Sequence, residues 1–356
     1  MKQFHPLTVE RIAPETQDSV RIALRVPAEF QAEYAFLPGQ HLPFEITLDG
    51  KKLRRTYSIC SAAGETPLEI GVRVQPGGAF SEFAASRLKV GDTLGAMPPT
   101  GRFHVELDPH NEKDYVGFAA GSGITPILSM IKSILTTEPK SRFILFYGNR
   151  KQSTTMFIED LYALKNLYPE RLQLNFVFSQ EEQEFEPMAG RLDTEKVKQL
   201  YKHFGAGLRV TDAFVCGPDS MIRDVTQALL ELGMQESHIH SERFGVPTKG
   251  ARPATKSTQQ AADHALITII MDGHRRDFEM HREDANIVDA AAGQGIELPY
   301  SCKGGVCATC RCHVRAGEVR MAANYGLEPW EVEKGFVLAC QSRPVSNAVT
   351  LDYDKL

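Results

Sequence analysis

No run of apolar residues in this sequence approaches the roughly 18 needed to cross a membrane as a helix. The opening residues Met1-Lys2-Gln3-Phe4-His5-Pro6 hold no apolar core of a secretion signal, which sets the expectation of a cytoplasmic protein. Charge of one sign is scarce as well. Forty Lys and Arg against 45 Asp and Glu leave a net charge of −5, which excludes the basic footprint of a nucleic-acid binder or a membrane-surface protein. There is one tryptophan, Trp330, and it and the acidic run at 181–186 are assigned to packing and surface. The eleven histidines fall into no metal-like cluster along the chain, and no internal repeat is visible. What remains is ordinary for globular proteins: 42% hydrophobic and 24% charged residues over 356 positions, enough for two or three domains. Seven cysteines in a chain of this size point to cofactor or catalytic roles rather than to a disulfide framework.

Four of those cysteines carry the strongest signal. Cys302, Cys307, Cys310 and Cys340 are spaced C-x4-C-x2-C, followed 29 residues later by the last C. This is the plant-type spacing for a [2Fe–2S] cluster, in which four thiolates hold two irons. The intervening Lys303, Gly304, Gly305, Val306, Ala308 and Thr309 are mostly small. A loop of that kind can curl closely and aim backbone N–H groups at sulfur. A structural zinc site or a disulfide pair are the alternatives. Zinc usually takes two C-x2-4-C knuckles, and only Cys307/Cys310 forms one.

Composition divides the chain. Residues 246–263 are rich in Pro, Thr, Lys, Gln and Ala, with few large apolar side chains, and are expected to form a flexible linker. The 93 residues after it, 264–356, hold all four spaced cysteines. Upstream, residues 1–108 alternate short β-like runs (19–26, 41–47, 68–74 and 93–96) with turns at Pro38-Gly39, Asp49-Gly50 and Gly77-Gly78. That pattern predicts a small antiparallel barrel. From 109 to 245, strand-like runs at 115–119, 143–147, 172–178 and 213–216 alternate with helical stretches at 125–136, 153–168, 191–203 and 219–232. Such alternation predicts a parallel, doubly wound α/β sheet.

Two segments look suited to phosphate. Gly121-Ser122-Gly123-Ile124-Thr125-Pro126 follows a predicted strand and opens a helix, where glycines and free N–H groups can receive a pyrophosphate. By itself G-x-G-x-x-P is a short pattern, and a plain strand–helix turn competes with it. In the barrel, Arg55-Thr56-Tyr57-Ser58 and Gly77-Gly78-Ala79-Phe80-Ser81 could hold a phosphate, a flat ring and a ring nitrogen. Taken alone, these residues fit an ordinary edge strand equally well.

Together and in this order, Arg55-x-Tyr57-Ser58, Gly78-x-Phe80-Ser81, Gly121-x-Gly123-x-x-Pro126 and Cys216-Gly217-Pro218 resemble the ferredoxin–NADP reductase superfamily. The stretch from Pro299 to Cys340 resembles plant-type ferredoxin, and the two resemblances cover essentially the whole chain. Domain order, length and the wording of Tyr147-Gly148-Asn149-Arg150 and Ser241-Glu242-Arg243-Phe244 resemble the reductase components of bacterial di-iron monooxygenases that epoxidise phenylacetyl-CoA. The resemblance implies a multidomain protein: a flavin barrel, a nucleotide-binding α/β domain and a β-grasp-like ferredoxin domain of α+β class. It implies FAD, NADPH and a [2Fe–2S] cluster as cofactors, and the di-iron oxygenase subunits as protein partner.

The resemblance also implies roles for individual residues. Arg55 would hold the flavin phosphate, Tyr57 stack on the isoalloxazine and Ser58 bond near its N5, while Gly78 and Ser81 contact the pyrophosphate. Gly121, Gly123 and Thr125 would receive the nicotinamide dinucleotide. Cys216 would sit beside the nicotinamide ring and Glu242 with Phe244 close over the flavin, so that Ser58, Cys216 and Glu242 would be the polar trio around hydride transfer. Cys60 and Cys312 match no ligand position and are taken as structural. Asn149-Arg150 stands where NAD-specific proteins often place an acid, so Arg150 predicts NADPH over NADH.

A nicotinamide gives two electrons together and a [2Fe–2S] cluster takes one, so the flavin must stand between them and the cluster must serve a protein acceptor. Three other functions stay open on sequence: the reductase of an aromatic-ring dioxygenase, a stand-alone NAD(P)H oxidase or flavin reductase, and a non-catalytic electron carrier. FMN in place of FAD also stays open.

Overall fold

The computed structural model describes residues 3–205, 209–245 and 262–355. Most of the anticipated linker, residues 246–261, lies outside them. The chain divides into two compact units, Phe4–Arg243 and Phe244–Leu356.

The first unit begins with six strands: β1 (His5–Thr16), β2 (Ser19–Arg25), β3 (His41–Leu48), β4 (Lys51–Ser58), β5 (Leu68–Arg73) and β6 (Thr93–Ala96). They form one antiparallel sheet in the order β4-β3-β6-β1-β2-β5. Its edges meet where Ile59 bridges Ile70 and the Cys60 N–H donates to the Glu69 carbonyl, so the sheet closes as a barrel. Alternate inward side chains such as Leu7, Ile22, Leu42, Phe44, Ile70 and Leu94 are fully buried and fill it. Helix α1 (Ala79–Ser86) plugs one end with Phe80.

The rest of this unit is a parallel sheet. Its strands are β7 (Asp114–Ala120), β8 (Arg142–Asn149), β9 (Leu172–Phe178), β10 (Val210–Cys216) and β11 (Ile239–Glu242), in the order β11-β10-β7-β8-β9. Period-two alternation sends Tyr115, Phe143, Leu145 and Tyr147 to one face, under α2 (Ile124–Thr137) and α3 (Ile158–Leu167). It sends Val116, Phe118, Ile144 and Phe146 to the other, under α4 (Thr194–Phe204) and α5 (Asp219–Glu231). Burial on both faces is why these strands are nearly continuous apolar runs. The expected helix at 153–168 is shorter. Gln152–Thr154 forms a 3-10 turn, and Phe157 at φ 58° delays the helix to Ile158. The Phe157 ring is fully buried and its N–H donates to Glu15 at 2.7 Å, which holds the left-handed residue in place.

The second unit has seven strands: β12 (His264–Met271), β13 (His274–His281), β14 (Arg311–Ala316), β15 (Val319–Met321), β16 (Phe336–Leu338), β17 (Ser342–Pro344) and β18 (Ala348–Asp352). Five of them make a mixed sheet, β13-β12-β18-β14-β16, and β15 pairs with β17. Helix α6 (Ile287–Gly293) buries Ile287, Val288, Ala290 and Ala291 in the same core as Ile267, Phe278 and Leu351, and a short α7 (Pro329–Glu333) follows. This is the α+β arrangement expected of the ferredoxin part.

Phe118 stacks on Phe146 at 5.0 Å in the α4/α5 core. Phe118→Ala is expected to cost the first unit about 3–5 kcal/mol. In urea, the far-ultraviolet transition of the first unit should move to lower denaturant, while the fluorescence transition of Trp330, which belongs to the other unit, stays put.

Candidate functional site

In an open α/β sheet, ligands settle outside the carboxyl ends of the strands, where the strand order reverses. Here the chain runs outward from β7 through β8 and β9 and then returns to β10 on the other side of β7. Cys216 is the last residue of β10, and the Gly121–Gly123 turn follows β7 at the same end. The two are pressed together: a Cβ on Gly123 would lie 2.1 Å from the Cys216 carbonyl oxygen. Gly121 sits at φ 54°, and its carbonyl accepts the Tyr147 hydroxyl at 2.8 Å. Helix α2 then starts at Ile124 with no side chain capping it. Thr125 is buried and turns its hydroxyl back onto the Ser122 carbonyl at 3.0 Å, so what the turn presents outward is backbone N–H and the positive end of the helix.

Strand β11 adds the next group. Its parallel register places Glu242 beside Cys216. The Glu242 carboxylate accepts a hydrogen bond from the Ser58 hydroxyl at 3.3 Å, across the boundary between barrel and sheet. Ser58, Cys216 and Glu242, expected as a trio from three distant stretches, are therefore at one place. Cys216 is fully buried, and burial together with the Glu242 charge pushes its thiol well above the usual range. The thiol is therefore held in its neutral form. His41 joins the group although no sequence pattern singles it out. It opens β3, it is 5% exposed, and its Nδ1 lies 3.4 Å from the other Glu242 oxygen. Only its position after the Pro38-Gly39-Gln40 turn could have marked it.

On the barrel side, Tyr57 directly precedes Ser58, and its ring lies 4.9 Å from Phe80. Burial keeps its phenol protonated by raising its pKa. Gly78 caps α1 without a side-chain bond, and the Ser81 hydroxyl accepts the Gln75 N–H at 3.1 Å, fixing the turn. Arg55 is exposed beside them, with its guanidinium on the Arg54 carbonyl at 2.7 Å. The two uncapped helix starts, the half-buried Tyr57 ring and the Ser58 hydroxyl fit a flavin dinucleotide and a nicotinamide dinucleotide meeting at the switch point. Arg150 is exposed just past β8, beside a shallow depression lined by Lys151, Gln152, Ser153, Gln180 and Glu181. Phe244, 49% exposed, belongs to the second unit.

In that unit the four spaced cysteines lie on one loop system. Cys302 is exposed and Cys307 partly so, whereas Cys310 and Cys340 are buried. They face each other in pairs, Cys302 with Cys307 and Cys310 with Cys340. The Cys307 thiol, helped by nearby backbone N–H groups, holds Cys302 down to about 5. Gly304 and Cys307 N–H point at the Cys302 sulfur at 3.3 and 3.4 Å. The Thr309 hydroxyl donates to the Cys307 sulfur at 3.2 Å. Left-handed backbone at Lys303, Gly305 and Ala308 is what curls the loop, and a Cβ on Gly305 would crowd the Ala323 carbonyl at 3.1 Å. Gln341, which no spacing rule marks, donates to the Lys303 carbonyl at 2.8 Å and reaches the Cys340 sulfur at 3.7 Å. Two thiol pairs amid inward N–H groups fit two irons better than one tetrahedral zinc. Cys312 lies in β14, fully within the core, and burial raises its thiol to about 12. Cys60 is equally buried, between barrel and sheet.

Comparison with known proteins finds three kinds of domain along the chain. Residues 6–105 match an oxidoreductase FAD-binding domain, 118–227 an oxidoreductase NAD-binding domain and 269–345 a 2Fe-2S iron-sulfur cluster binding domain. The chain is 44% identical to one of the subunits of 1,2-phenylacetyl-CoA epoxidase from Escherichia coli (strain K12), over 99% of each chain. It is 33% identical to the ferredoxin reductase component of 3-ketosteroid-9-alpha-monooxygenase from Rhodococcus rhodochrous, over 98% of this chain and 96% of that one. Among solved structures, phthalate dioxygenase reductase shares the fold over 98% of both chains, at TM-score 0.59 and 22% identity.

Three substitutions separate the parts of this site. Gly123→Ala should slow flavin bleaching by NADPH and leave the iron–sulfur spectrum intact. Cys307→Ser should abolish that spectrum and protein-acceptor reduction while flavin bleaching continues, and Cys312→Ser should keep the cluster. Loss of flavin bleaching in folded Cys307→Ser protein would refute the separation of the two sites.

Proposed function

The chain belongs to the family of oxygenase reductases that join FAD-binding, NAD-binding and 2Fe-2S domains, and from that membership we propose that it feeds electrons from NADPH to the di-iron subunits of a phenylacetyl-CoA epoxidase. The observation that carries the electron-transfer part is the meeting of Ser58, Cys216 and Glu242 at the switch point of the sheet. Full-length likeness to the Escherichia coli epoxidase component supports the choice of partner. Bound FAD supplies the conversion between a two-electron donor and one-electron acceptors.

The chain's own residues then have these tasks. Gly78, Ser81 and Arg55 hold the flavin phosphates, and Tyr57 packs on the flat ring. Gly121, Gly123 and Thr125 seat the nicotinamide dinucleotide's pyrophosphate on the α2 N-terminus. Cys216 stands beside the nicotinamide ring, Ser58 bonds near the flavin N5, and Glu242 closes over the flavin. Cys302, Cys307, Cys310 and Cys340 hold the cluster, with the exposed Cys302 side toward the acceptor. We place the domain limits at 1–108, 109–245 and 264–356, with a linker at 246–263. Cysteines that form no disulfide, and a reaction drawing on NADPH and a coenzyme A ester, suit the cytoplasm.

Arg150 supports NADPH over NADH, since its exposed guanidinium can pair with a 2′-phosphate, while the neighbouring Glu181 carboxylate is taken up by the Gln152 N–H at 2.8 Å. Arg150→Ala should reduce the NADPH preference about tenfold to a hundredfold, roughly 1.4–3 kcal/mol for one charge-assisted contact. Equal kcat/KM for both nucleotides in the unaltered enzyme would end that assignment. For the partner, purified epoxidase oxygenase with phenylacetyl-CoA should couple NADPH consumption to epoxide. Peroxide alone from that mixture, with tight coupling to a ring-hydroxylating dioxygenase, would transfer the assignment to the second oxygenase.

A further inference from the structure

Strand pairing brings together three residues that the sequence keeps apart. In the β12–β13 hairpin, His264 stands directly opposite His281. Alternation along β13 buries Phe278 and Met280 and turns Glu279 and His281 to solvent, on the face that His264 shares. The expectation that the histidines form no metal-like cluster is thereby corrected, because the grouping depends on register rather than spacing. His264 Nε2 lies 3.3 Å from a Glu279 carboxylate oxygen, and His281 Nε2 lies 3.9 Å from the same atom. The two imidazoles are 5.1 Å apart between ring centres. All three donor atoms fall within 4.8 Å of one another, the one such group of His, Cys, Asp or Glu among the described residues.

From this geometry we propose that His264, Glu279 and His281 form a zinc site on the iron–sulfur domain. Zinc at about 2.0–2.2 Å from nitrogen and oxygen donors separates neighbouring ligands by roughly 3.3–3.5 Å, so the three side chains need only small rotations to close on one ion. Two imidazoles and a carboxylate suit zinc rather than magnesium or calcium, which prefer all-oxygen shells. The fourth tetrahedral position faces solvent and takes a water. The backbone frame is already set: the Glu279 carbonyl accepts from the Gln294 side chain, and Arg282 pairs with Asp263 at 3.5 Å beside the site. A bound ion would tie the first residue of β12 to the last residue of β13, the edge strand of its sheet.

The test is equilibrium dialysis of untagged full-length protein, with flavin and cluster loaded, against micromolar zinc at pH 7.5, followed by metal analysis. Loading the cluster keeps its cysteines from competing. The expected result is one zinc per chain in addition to two irons. His264→Gln and His281→Gln should each weaken retention at least tenfold, without changing the cluster spectrum. Lowering the pH to 5.5 should release the ion, because imidazole binds metal only when neutral. Zinc should also raise the melting temperature of the iron–sulfur transition in the unaltered protein and not in His281→Gln. Retention equal in the unaltered protein and the double variant would overturn the proposal.

Discussion

The approach of one backbone to another, Gly123 against the Cys216 carbonyl, is the constraint from which the rest of the catalytic end follows. Any side chain at 123 would have to displace the end of β10. Because it is glycine, the start of α2 and the end of β10 can lie against each other. Strand β11 then needs only its parallel register to place Glu242 next to Cys216. Ser58 at the end of β4 completes the group from the barrel. Thus a hydrogen bond crosses between two sheets of different architecture.

The iron–sulfur loop solves a different problem. Thiolates repel one another, and a cluster with four of them is stabilised by inward N–H dipoles. Left-handed residues at Lys303, Gly305 and Ala308 turn those dipoles inward, and Gln341 ties the fourth cysteine to the first part of the loop. Cys310 and Cys340 are buried in the domain core while Cys302 is exposed. The pair nearer solvent is the natural side for electrons to leave.

Much of this was legible in the sequence because it is written locally. The C-x4-C-x2-C spacing, the Gly-x-Gly turn after an apolar strand and the near-continuous apolar strands of the parallel sheet each lie within a short window. What was not legible is set by register. His41 meets Glu242 201 positions away, by a side-chain contact between strands of two separate sheets. Strand β1 is twelve residues long but broken by bulges near Val9 and Pro14, which erase its alternation. Strand β13, with charged residues on its open face, looks like a loop until paired. The early helix expected at 153 fails because a buried Phe157 takes a left-handed turn that side-chain patterning does not reveal.

The proposed role of Glu242 at the meeting point of donor and flavin is tested most directly by anaerobic stopped-flow mixing of Glu242→Gln protein with NADPH. Losing the carboxylate should slow flavin bleaching on the order of 10²-fold, with nucleotide affinity and the cluster spectrum little changed. Flavin bleaching at the unaltered rate would contradict it.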